Sequence, residues 1–118
     1  MAWSAVPEVH GGVGILTLTG ELDLAVADEL ARVLDDALER AGAGLVVDLI
    51  GVAFLDSSCL QVLLSAAARA RAAGRGFGLV AVSPAVVRPI TVLALGEVLP
   101  VSASVNDAVA RVRADGGS

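Results

Sequence analysis

The sequence predicts one α/β domain, a small mixed β-sheet of about five strands flanked by four helices. Three observations carry that reading. Short apolar or alternating runs, which fit strands, are separated by longer segments with apolar residues at three- and four-residue spacing, which fit helices. Crossovers of that length imply parallel strands with right-handed connections. A glycine turn near the start, His10-Gly11-Gly12, adds an antiparallel hairpin and makes the sheet mixed.

In chain order, "VGILTLT" (Val13 to Thr19) alternates as a half-buried strand does, and Trp3 to Val9 is its hairpin partner. "TGELDL" leads into a first helix with Asp23 placed to cap it. Leu24, Ala27, Leu30, Ala31, Leu34, Ala37 and Leu38 form its apolar face, and "AGAG" (Ala41 to Gly44) ends it. "LVVDL" (Leu45 to Leu49) is a buried strand. Ser57-Ser58 opens a second helix whose inner side is Leu60, Leu63, Leu64, Ala67 and Ala68, closed by Gly74. "FGLVAV" (Phe77 to Val82) is the next strand, and Ser83-Pro84 starts a third helix that Pro89 is expected to distort. A brief strand near Leu99 to Val101 and a last helix from about Val105 to Arg113 follow, with a disordered tail expected at about 114–118. The whole of 1–118 reads as a single domain, since neither an internal repeat nor a linker interrupts it.

Composition narrows the chemistry. The chain is 56% hydrophobic but only 3% aromatic, so its core is built from Ala, Val and Leu. A net charge of −5 opposes direct nucleic-acid binding. All eight basic residues are arginines, which removes the phosphate-binding loop of nucleotide hydrolases, the ATP-positioning lysine of protein kinases and Schiff-base enzymes. One cysteine, Cys59, and one histidine, His10, are too few for a disulfide or for a His- or Cys-rich metal site. No cofactor and no metal are expected. The apolar runs fall short of a membrane span and no secretion signal is visible, so the chain reads as cytoplasmic, with no membrane partner.

The informative stretch is "FLDSSCLQVLL" (Phe54 to Leu64). Ser58 and Gln61 match a capping box, which makes Ser58 a helix cap. A catalytic serine needs a base within reach and usually flanking glycines, whereas here the flanks are Asp56 and Cys59 and the one histidine sits in a hairpin turn. Enzyme activity is therefore not expected. Cys59 reads as a small buried hydrophobe, and the pairs Glu21/Asp23 and Asp35/Asp36 as helix-start and solvent-face charges. A hydroxyl on the exposed first turn of a helix can also be presented to another protein's active site, where phosphorylation would add about two negative charges. Spacing alone leaves cap and phosphoacceptor both open.

"TGELDLAVADEL" followed by "LVVDLIGVAFLDSSCLQVLL" resembles the STAS domain family, and within it the bacterial anti-sigma factor antagonists (anti-anti-sigma factors). The resemblance covers roughly Val9 to Arg113. It implies the STAS fold and a role in transcription regulation by partner switching. The unphosphorylated antagonist binds an anti-sigma factor, itself an ATP-dependent serine kinase, and so frees a sigma factor; phosphorylation ends the binding. Carried across, Ser58 is the phosphoacceptor, with Ser57 as second choice. Asp23, Asp56, Ser57, Ser58, Cys59 and Gln61 form the partner-binding face of a monomer or weak dimer. The family usually has glycine at the positions of Cys59 and Gln61, so both add bulk on the docking face. The runner-up is a STAS subunit of a stress-signalling assembly or lipid transporter without a phosphoserine switch.

Overall fold

In the computed structural model, which describes residues 3–116, the chain opens with strands β1 (Trp3–His10) and β2 (Val13–Leu22). A 3-10 turn (Leu24–Val26) and helix α1 (Ala27–Glu39) lead to β3 (Gly44–Leu55) and α2 (Ser57–Ala72). Strand β4 (Gly76–Val80), helix α3 (Pro84–Val92), strand β5 (Val101–Ser102) and helix α4 (Val105–Gly116) complete it. The sheet order is β1-β2-β3-β4-β5, antiparallel between β1 and β2 and parallel elsewhere. The five-stranded mixed sheet and four helices are those expected. Gly11 and Gly12 close the hairpin with φ of 57° and 82°, a pair of left-handed residues whose twist matches that of the strands they join.

The sheet separates two cores. The larger packs Leu16, Leu18, Leu45, Val47 and Leu79 against Leu30 and Leu34 of α1, Leu63 of α2, and Val86 and Ile90 of α3. The smaller packs Val13, Ile15, Val46 and Val80 against Ala108 and Val112 of α4. Each helix follows a strand at that strand's C-terminal end and runs back along the sheet. Arg113, near the end of α4, accordingly reaches the Gly11 carbonyl in the β1–β2 turn. The helix N-termini therefore gather at the end of the sheet where the parallel strands finish.

Several boundaries differ from the sequence reading. The strand expected over Leu45 to Leu49 continues through Gly51 to Leu55, and within it the Asp48 carboxylate accepts the Ile50 amide at 3.0 Å. Two register shifts against β2, between Thr17 and Thr19 and between Gly20 and Glu21, take up the extra β3 residues. Pairing with β4 stops at Asp48↔Val80, so the last part of β3 is paired to β2 alone. Leu24 lies in the 3-10 turn and is 72% exposed, not on the inner face of α1, since a 3-10 turn breaks the 3.6-residue phase that placed it there. In α2 the buried stripe is Cys59, Leu60, Leu63, Ala66, Ala67 and Ala70. Leu64 is half-buried and Ala68 exposed, so the inner face is rotated from the one expected. Pro89 does not end α3; it withholds one amide from the Ala85 carbonyl, and Ala85 is exposed, so water can take that bond. β4 ends at Val80 rather than Val82, and β5 begins at Val101. Residues 114–116, expected to be disordered, are helical in α4, while 117–118 lie outside the described residues.

Helix α4 approaches the sheet over glycines. A methyl group at Gly76 would stand 2.6 Å from the Val112 carbonyl oxygen, a backbone atom that cannot turn aside. Gly76→Ala is expected to cost about 1–3 kcal/mol through this overpacking. A urea titration would read it as a lower midpoint, and an unchanged midpoint would show that α4 has room to withdraw.

Candidate functional site

β2 and β3 finish side by side, with Leu22 opposite Leu55, and the Asp56 amide donates to the Leu22 carbonyl at 2.8 Å. That bond ties the two strand exits together. An aspartate follows each strand in extended conformation, and each carboxylate turns back onto the amide two residues ahead. Asp23 Oδ1 accepts the Ala25 amide at 3.1 Å and starts the 3-10 turn. Asp56 Oδ2 accepts the Ser58 amide at 3.1 Å and starts α2.

Asp56, not Ser58, is therefore the cap of α2. Its carbonyl accepts the first helical bond, from the Leu60 amide at 3.0 Å, and the chain is already helical at Ser57. A cap must be extended while its carbonyl enters the helical ladder, and Ser58, the second helical residue, cannot meet that condition. The Ser58…Gln61 match to a capping box is a coincidence of spacing. Freed from capping, the Ser58 hydroxyl donates to the same Asp56 Oδ2 at 2.6 Å.

This pair of bonds sets the local electrostatics. The Ser58 hydroxyl first, and then the Ser58 amide, hold the Asp56 carboxyl below its ordinary value of 3.8, against a smaller opposing effect of burial. The carboxylate is ionised at neutral pH and fixes the Ser58 side chain. Ser58 is half-buried, whereas Ser57 and Gln61 are exposed, four residues apart on the outer face of α2. Asp23 is exposed as well.

Cys59 is the small buried hydrophobe expected, and it is not on the docking face that the resemblance implied. Its side chain is completely buried within the larger core, and Sγ donates to the Asp23 carbonyl at 3.3 Å, linking α2 to the exit of β2. It adds no bulk to the outer face and has no surface to give a partner. Burial pushes its thiol pKa up against a smaller lowering effect of the Ser58 side chain, and the charges of Asp56 and Asp23 add to the rise. His10 lies at the far end of the sheet beside Glu8, so the structure does not bring it to the serines. Asp35 pairs with Arg69 of α2 at 2.6 Å on the surface, a solvent-face role.

Sequence reasoning missed two features of this end of the molecule. Leu24 and Phe54, the latter 47% exposed, stand immediately after Asp23 and two residues before Asp56. A large apolar residue directly beside a helix cap was the available signal, masked for Leu24 by its fit to the α1 pattern. The second feature is charge. Asp23, Asp28, Glu29, Asp56 and Asp107 occupy the caps and first turns of helices, while Arg69, Arg71 and Arg113 occupy last turns. Each sign sits at the helix end whose dipole it opposes, and because the helices are co-oriented the serine turn lies at an acidic end.

The family model described as "Mlab, STAS domain" matches residues 7–100. The chain belongs to the STAS domain family. It is 33% identical over 106 residues to the anti-sigma-F factor antagonist RsfB of Mycobacterium tuberculosis, covering 88% of this chain and 84% of the relative. The crystal structure of an anti-sigma factor antagonist from Mycobacterium paratuberculosis superposes with a TM-score of 0.86 at 31% identity over 95% of both chains. SpoIIAA in its unphosphorylated form shares the fold, with a TM-score of 0.76 at 21% identity over 94% of this chain and 97% of SpoIIAA; its phosphorylated form has also been solved. No helix among the described residues of this STAS domain is long and apolar enough to cross a membrane.

Moving the cap from Ser58 to Asp56 changes the expected stabilities. Asp56→Ala should cost about 1 kcal/mol, while Ser58→Ala should stay within about 0.5 kcal/mol, because alanine favours the helix interior. Urea unfolding of both variants checks the order. The lowered Asp56 pKa makes its stabilisation complete above about pH 5 and progressively lost as the pH falls through the folded-state value. Asp56→Asn should therefore flatten the acid limb of a stability-against-pH curve, and an unchanged limb would remove Asp56 from it.

The raised thiol pKa and complete burial bear on Cys59 reactivity. At pH 8 a disulfide reagent should modify the native thiol at least about tenfold more slowly than the urea-unfolded one. Equal rates would show that the first turn of α2 opens freely.

Proposed function

We propose that this STAS domain is an anti-sigma factor antagonist whose binding is switched by phosphorylation of Ser58. In the unphosphorylated state it binds an anti-sigma factor serine kinase, with the kinase's own ATP or ADP, and frees the sigma factor held there. The observation that carries the reading is the bond from the Ser58 hydroxyl to Asp56 Oδ2, on the first turn of a helix at the acidic end of the molecule. The names of relatives above 30% identity support the antagonist role.

The physics of the switch follows from that bond. In the unphosphorylated chain the hydroxyl is a donor and satisfies a carboxylate. A phosphate on the same oxygen donates nothing, carries about two negative charges and stands against Asp56 with Asp23 close by. The α2 N-terminus tolerates an anion, with a favourable effect of about 0.3–1 kcal/mol, so the fold survives the modification. Desolvating that charge beneath a partner would cost several kcal/mol, so the complex does not survive it. The domain thus acts by presenting a surface and withdrawing it, with no chemistry of its own.

Ser58→Asp is expected to remain folded and to lose binding to the anti-sigma factor by at least about a hundredfold, whereas Ser58→Ala binds like wild type and takes up no phosphate. Titration calorimetry with purified host anti-sigma factors, and mass spectrometry after incubation with each of them and ATP, would measure both. Wild-type affinity in Ser58→Asp together with lost affinity in Ser57→Asp would move the acceptor to Ser57. Indifference to both charges would reject the switch.

A further inference from the structure

We propose that Leu24 and Phe54 are the apolar anchors of the anti-sigma factor complex, and that the partner's matching surface is an apolar depression rimmed by basic side chains; this rests on the antagonist reading above. Leu24 is 72% exposed and Phe54 47% exposed. Leu24 follows Asp23, whose carbonyl holds Cys59 of α2, and Phe54 precedes the Asp56 cap by two residues. Both side chains thus sit at the strand exits that the Asp56–Leu22 bond ties together, beside the serine turn.

Neither side chain is needed outside the core for folding. The neighbouring residues Leu22 and Leu55 are buried and, with Cys59, hold the strand exits to the core. Exposing a leucine and a phenylalanine forfeits burial free energy that the fold could have used. Side chains of this size, exposed around a turn, act as anchors when a partner covers them.

Charge selects the partner. Glu21 lies opposite Phe54 in the β2–β3 register, and Asp23 and Asp56 adjoin the two anchors. Arg69, Arg71 and Arg113 lie in the last turns of α2 and α4, away from this end, and Arg111 of α4 is engaged with the Val101 carbonyl and the Ser102 hydroxyl of β5. A partner that covers the anchors must bring arginine or lysine to the rim, which speeds encounter at low salt. A basic rim attracts an added phosphate, so the loss of binding on phosphorylation rests on the repulsion from Asp56 and Asp23 and on the desolvation of the added charge, which outweigh that attraction.

The test uses the full chain and the purified host anti-sigma factors, assayed one by one by titration calorimetry and stopped-flow association. Leu24→Ser and Phe54→Ser should each weaken the complex at least about tenfold, with far-ultraviolet circular dichroism and urea midpoint unchanged. Val92→Ser, an equally exposed site (73%) at the opposite end of α3, should bind like wild type. The wild-type association rate should fall as salt rises, and Glu21→Gln should lessen that fall. If both serine variants bind like wild type to a factor that Ser58→Asp fails to bind, the anchors are wrong and the switch stands. A rate that rises with salt rejects the basic rim. If no host anti-sigma factor binds the wild-type chain, the antagonist reading and the anchors fall together.

Discussion

One oxygen atom organises the working end of this domain. Asp56 Oδ2 accepts both the amide and the hydroxyl of Ser58, so the group that begins α2 also fixes the side chain that α2 presents. The arrangement depends on the bond from the Asp56 amide to the Leu22 carbonyl, which stops β3 level with β2. It depends equally on Cys59, which draws the first helical turn against the exit of β2 through the Asp23 carbonyl. Strand exit, cap and hydroxyl are thus one hydrogen-bonded unit. A hydroxyl held this way has a defined position before any partner arrives, and less side-chain freedom is lost on binding.

The fold was legible in the sequence because its signals are redundant. Apolar periodicity, glycine turns and Ser83-Pro84 each mark boundaries that the packing then respects. The site was legible as a region and misread in detail. Ser58…Gln61 carries the spacing of a capping box, but an aspartate two residues earlier is as good a cap as serine, and only the backbone conformation decides between them. Gly51 bounded the apolar run because glycine is rare inside strands, yet β3 continues through it, paired with Thr19 of β2. Leu24 fitted the helical phase of α1, and no sequence pattern announces that the first turn is 3-10. The errors share a cause: each concerned a residue whose role is set by where an adjacent backbone group points.

The acidic character of the serine end follows from topology rather than from any one residue. Parallel strands with helical crossovers bring the helix N-termini to one end of the sheet, and each N-terminus carries a partial positive charge. Carboxylates in the caps and first turns answer those dipoles, and arginines answer the opposite ends: Arg71 donates to the carbonyls of Glu97 and Val98, and Arg75 to that of Leu38. What stabilises the helices one at a time gives the molecule a polarity as a whole. A surface built for local stability thereby acquires a preference for basic partners and a sensitivity to added negative charge.

That logic also sorts the two positions, 59 and 61, where the family resemblance implies glycine. A side chain at 59 or 61 could crowd a partner only if it pointed outward, and the helix turns these two residues to different sides. Cys59 directs its sulfur into the core, where it fills space and bonds the Asp23 carbonyl, so its bulk is invisible from outside. Gln61 is exposed, one turn beyond Ser57, and lies on the surface proposed to meet the partner. The departure at Cys59 is thus internal, tightening the link between α2 and the strand exits. The departure at Gln61 is the one that reshapes the presented face. Of these two positions, only Gln61 places its side chain on the surface that a partner can meet.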